Sequence, residues 1–128
     1  NLKSLTYLDL RNNPIVSLDD KISHFVNLKS IRLDSTLINN LPIGFCKLQK
    51  LESLVLANTK IIELPKCLGN LQNLDWINIS GTQITEFPIE ILNAPKLDEI
   101  DAKGLKLKNY KEVKAICEKK KITFSYDE

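Results

Sequence analysis

The chain has 128 residues and a net charge of +2, with 27% charged and 43% hydrophobic residues. That balance suits one ordinary globular domain, is too nearly neutral to make nucleic acid or an anionic membrane the main partner, and leaves no apolar run near the roughly 18 residues a spanning helix needs. Three cysteines (Cys46, Cys67, Cys117) without C-x-x-C spacing and one histidine, His24, offer no zinc ligand set.

The first residues, NLKSLTYL, contain neither a start methionine nor a signal-peptide pattern. Leu2 stands where the penultimate apolar residue of a preceding repeat would fall, so a truncated N-terminus is expected. From Leu5 onward a 23-residue unit recurs, with starts at 5, 28, 51, 74 and 97 and no insertion between them. The clearest copy is 51–73, LESLVLANTKIIELPKCLGNLQN. A fixed period between 20 and 50 residues marks a solenoid.

Each copy reads as a short strand, a turn and a return. Period-two pairs (Leu8 and Leu10, Ile31 and Leu33, Leu54 and Leu56, Ile77 and Ile79) give the strands one buried face. Asn13, Thr36, Thr59 and Thr82 follow the strands at one position and are predicted to form a structural turn ladder that satisfies backbone groups. The returns, such as 43–49 and 66–72, hold helix formers but also Gly44 and Gly69, so short helices and 3-10 turns both remain open. Pro95 stops the fourth return at about Ala94. Beyond Leu107 the helical spacing of Tyr110, Val113, Ile116 and Cys117 predicts an amphipathic helix over 109–120. Asn109 is its expected N-cap, with Glu112 completing a capping box. Ile122, Phe124 and Tyr126 then alternate as a last strand, and 109–128 together read as a C-terminal cap. The whole of 1–128 is expected to be a single domain.

The pattern L-x-x-L-x-L-x-x-[N/T]-x-I-x-x-L-P, with Pro42 and Pro65 after leucines and Pro88 after Phe87, resembles the leucine-rich repeat over about residues 2–107. It is similar to the 23-residue class with a Leu-Pro turn found in bacterial and intracellular scaffold-type arrays. Asp19 stands where the first repeat's proline should be. The resemblance implies an α/β fold: a curved right-handed solenoid with a parallel β-sheet on its concave face, helical or 3-10 returns on its convex face, and the helix-strand cap. It also implies a protein–protein interaction module that binds mostly on the concave side.

In that register the residues between the buried strand leucines face outward. Partner-binding candidates are Tyr7, Arg32, Asp34, Val55, Trp76 and Asn78. Trp76, the one tryptophan, would stand exposed beside an exposed Val55, and interface hot spots favour tryptophan, tyrosine and arginine. Ser30 and Ser53 leave low ground between Tyr7 and Trp76. The competing reading lays Trp76 flat over neighbouring repeats and lets Arg32, Asp34 and Asp9 neutralise one another.

Eight lysines between Lys103 and Lys121 alternate with apolar positions, as on a solvated helix face rather than a nucleic-acid surface. His24 falls in a return without a catalytic companion, and no catalytic or phosphate-binding motif occurs. The expectation is therefore a monomeric protein-binding module with no enzymatic activity, metal or cofactor. Rivals are a structural scaffold segment of a larger multidomain protein, and a regulatory subunit that binds an enzyme by another surface. The compartment stays open, cytoplasmic or exported. Free thiols are expected, although a bridge between Cys46 and Cys67 in adjacent repeats is conceivable.

Overall fold

The computed structural model describes residues 2–127; Asn1, Glu128 and the Leu2 side chain, on which the reading of a preceding repeat leaned, lie outside the described residues. Every copy of the repeat contributes one three-residue strand: β1 (Tyr7–Asp9), β2 (Ser30–Arg32), β3 (Ser53–Val55), β4 (Trp76–Asn78) and β5 (Glu99–Asp101). β6 (Thr123–Ser125) follows the terminal helix α1 (Tyr110–Lys120), and the six strands pair in parallel in chain order. Leu8, Ile31, Leu54, Ile77, Ile100 and Phe124 stack in register across them. One repeat cannot bury its apolar face alone, and stacking turns those faces into one continuous core.

The returns are 3-10 turns: Asp20–His24, Ile43–Lys47, Lys66–Asn70 and Ile89–Asn93. Pro42, Pro65 and Pro88 precede the last three with φ of −67°, −69° and −63°, and five residues are too few for an α-helix to recover its nucleation cost. Close stacking of these turns explains Gly44 and Gly69. A β-carbon on Gly44 would meet the Asp20 carbonyl oxygen at 2.5 Å, and one on Gly69 would collide with that of Glu90.

After each of the first five strands the chain turns through one left-handed residue: Asn12, Ser35, Asn58, Gly81 and Gly104, with φ between 58° and 80°. Asparagine and glycine tolerate this conformation best. The next position carries the turn ladder. Thr36, Thr59 and Thr82 are buried, and each hydroxyl donates to the carbonyl three residues back, Leu33, Leu56 and Ile79, at 2.7–2.8 Å. Asn13 is exposed and donates its amide to the Leu10 and Arg11 carbonyls at 2.9 and 3.0 Å.

Two expectations are corrected in the returns and the cap. Cys46 and Cys67 form a disulfide, because stacked 3-10 turns bring their Cα atoms within 5.6 Å, inside the range a bridge requires. Cys117 is the free cysteine, buried in α1, and burial pushes its thiol up to about 11. Asn109 precedes α1 without capping it. Its backbone (φ −106°, ψ 27°) lacks the extended cap conformation. Its amide instead grips the Phe87 backbone, accepting from the N–H at 3.1 Å and donating to the carbonyl at 2.8 Å. The capping box with Glu112 does not form. Phe124, Tyr126 and Tyr110 stack in sequence with ring centroids 5.4 and 5.1 Å apart, and the Tyr126 hydroxyl accepts from the Leu107 N–H.

Candidate functional site

The outward side chains of the parallel strands form columns, because the register offset is one repeat. The first column is Tyr7, Ser30, Ser53, Trp76 and Glu99; the second is Asp9, Arg32, Val55, Asn78 and Asp101. All six candidate partner-binding residues lie on this sheet face or at its turn edge, yet not all of them are accessible.

Tyr7 is 49% exposed, whereas Val55 is only 2% exposed, and Ala57 beyond it only 9%. The expected open apolar neighbour of Trp76 is therefore covered. Val55 lies between Arg32 and Asn78 in register and diagonal to Trp76, and long side chains on flanking strands roof over a short one. Trp76 is half-buried, and its indole N–H is sealed from solvent without a hydrogen-bond partner. The indole is thus less open than the exposed Trp76 expected, nearer the competing reading that lays it over neighbouring repeats.

The polar groups of the face largely satisfy one another. The Ser30 and Ser53 hydroxyls hydrogen-bond at 2.7 Å. Arg32 forks onto Asp34 at 3.1 and 3.2 Å, and Arg11 onto Asp9 at 2.7 and 2.9 Å. Hydrogen bonds from the Arg11 side chain, then its N–H, hold the Asp9 carboxyl down at about 2. Asn78 turns its carbonyl oxygen to the N–H and hydroxyl of Ser80.

One feature of this edge escaped the sequence reading although the period contains it. Glu52, Asp75 and Asp98 fall at successive copies of the position preceding the strand and form an acidic row. Partial burial, then the Glu52 and Asp98 charges, raise the Asp75 carboxyl above its ordinary value. Among the described residues no three metal-ligating side chains converge, and no helix is long and apolar enough to cross a membrane.

The leucine-rich repeat family patterns match residues 4–25 and 26–84, together most of the repeating region. This chain is a leucine-rich repeat protein. Like the resemblance, the observed parallel sheet with 3-10 returns agrees with the repeat solenoid. A leucine-rich repeat protein from Leptospira interrogans superposes with a TM-score of 0.86 at 30% identity, over 97% of this chain. The match spans 32% of the Leptospira chain, so this repeat protein covers about a third of that relative's length. An internalin from Listeria monocytogenes matches at 24% identity and TM-score 0.69, over 78% of this chain and 28% of its own. TLR13 in its complex with ssRNA13 matches at 22% and 0.69, over 81% and 16%. The last two likenesses carry the fold alone. No curated protein matches this chain.

Proposed function

We propose that this leucine-rich repeat protein is a non-enzymatic module that binds a protein partner across its concave sheet. Leucine-rich repeats commonly mediate protein–protein interaction, which supports the general role. The contact region would be Tyr7, Arg32, Asp34, Asn78 and the accessible part of Trp76, with Val55 as packing beneath them. The observation that carries the reading is the first column. Two aromatic side chains bracket a shallow step at Ser30 and Ser53, whose hydroxyls already hydrogen-bond to each other, so a partner side chain can settle there without stranding them. The half-buried Cys46–Cys67 bridge supports an oxidising compartment, hence export, over the cytoplasm.

The test is a pull-down and titration of the captured partner with wild type, Trp76→Ala, Tyr7→Ala and the convex Ile43→Ser, with circular dichroism confirming each fold. Trp76→Ala is expected to weaken binding by about 2 kcal/mol, Tyr7→Ala by somewhat less, and Ile43→Ser not at all. Affinity lost only in the convex variant would move recognition to the other surface, and unchanged affinity in both concave variants would remove the site.

A further inference from the structure

Away from the sheet, α1 presents Glu112, Ile116 and Lys119 at i, i+4 and i+7, which places them along one helix face. Two adjoining depressions follow this face. Glu112 lines one of about 430 Å³, Ile116 and Lys119 line another of about 520 Å³, and Ile89 borders both.

The middle of the surface is apolar: Ile89, which borders both depressions, is 37% exposed and Ile116 is half-buried, while Ile62, 59% exposed, lies on the Glu112 side. The ends carry opposite charge. Glu63 and Glu86 join Glu112 at the acidic end, and none of the three enters an ion pair among the described residues. Lys119 and Lys120 carry the positive charge at the other end, Lys120 also donating to the Leu92 carbonyl at 2.9 Å, and Glu90, which borders both depressions, is paired with Lys66 at 3.8 Å. Seven residues of helix separate Glu112 from Lys119, about 10 Å.

We propose that this face binds a second copy of the chain through an antiparallel pairing of α1 with itself. The order acid, apolar, base becomes base, apolar, acid when the helix is turned end for end. A two-fold axis near Ile116 therefore sets each Glu112 against Lys119 of the other copy and brings Ile89 and Ile116 of the two copies together. No unrelated peptide is needed to supply the complementary order, because the chain already contains it. The contact is isologous, so assembly closes at two. It leaves the concave sheet open, and it stands or falls separately from the proposed partner site.

Analytical ultracentrifugation from micromolar to about 1 mM, where associations weaker than about 1 mM are lost, reads this directly. Wild type is expected to show a concentration-dependent dimer that weakens with added salt, because the end contacts are exposed ion pairs. Glu112→Lys or Lys119→Glu should each raise the dimer dissociation constant by about tenfold, through two lost pairs and the like charges that replace them. The double variant E112K/K119E keeps a self-complementary stripe of reversed order and should return to near the wild-type constant. Ile89→Ser, at an exposed position, should also weaken the dimer while leaving the circular dichroism spectrum unchanged. A protein that stays monomeric throughout the range overturns the proposal. So does a dimer indifferent to the single reversals, or one that the double variant fails to restore, since either would place self-association on another face.

Discussion

The first rung and the last rung hold similar side chains in different surroundings. Around β1, Leu5, Leu8, Leu10, Ile15, Leu18 and Phe25 are only partly buried, and among the described residues β1 pairs with β2 alone. Around β5, Ile100, Ala102, Leu105 and Leu107 are 0–4% exposed, because β6 pairs with β5 and α1 packs against β6 and the Ile89–Asn93 turn. Val113 and Cys117 carry that burial into the cap at 0% and 1% exposure. A solenoid's stability is close to a sum of rung energies and nearest-neighbour interfaces, so the difference in enclosure between these two rungs should be measurable. Opening is expected to begin at β1, with its amides exchanging well before those of β4 and β5.

The sharpest way to break this comparison is a matched pair of core truncations. Leu54→Ala, at a site with no exposure, should lose about 3–5 kcal/mol in urea melts, and Leu8→Ala only about 1–2. Equal losses would mean that the two rungs are equally enclosed. Next in size is the disulfide, which closes a separation of 21 residues: Cys46→Ser with Cys67→Ser should cost about 3 kcal/mol. In non-reducing native protein no thiol should react readily at pH 8, because Cys117 is buried with its thiol raised to about 11 and the other two are joined. Rapid labelling of two or more cysteines would refute the bridge.

Asn109→Ala probes how the cap is fastened. It strands both the N–H and the carbonyl of Phe87 and should cost about 1–3 kcal/mol, whereas Glu112→Gln should change stability by only a few tenths. The reverse order would restore the capping box.

The smallest effect is expected in the acidic row. The Asp75 pKa is raised in the folded state, so the folded protein holds that proton more tightly than the unfolded chain. The associated penalty is absent below the ordinary carboxylate value of 3.8 and present once pH rises past the raised one. Asp75→Asn should therefore stabilise the protein slightly at pH 7 at low salt, and by less as salt screens Glu52 and Asp98. No gain at pH 7, or the same gain at pH 3, would contradict this origin.

Much of the architecture was legible from one copy of the unit and its period. The alternating pairs located four of the five repeat strands and the period placed the fifth, the helical spacing after Leu107 located α1, and the shared position of Thr36, Thr59 and Thr82 marked the turns. Also present, though unread, was the series Asn12, Ser35, Asn58, Gly81, Gly104, rich in residues that accept a left-handed backbone. The period likewise held Glu52, Asp75 and Asp98. The candidate site was less legible. Counting residues set the column of Trp76 and Val55 correctly, but could not reveal that Val55 is roofed over or that the indole N–H is sealed.

The apolar period by itself determined that the chain is a stack of parallel strands and which side chains enter its core, since burying each rung's leucines against the next leaves one register. The stacking of rungs alone decided that Cys46 meets Cys67, that Asn109 reaches back to Phe87 instead of capping its own helix, and how far Trp76 lies down. Those outcomes depend on the distance and tilt between neighbouring turns. These are properties of two repeats packed together, and neither repeat states them alone.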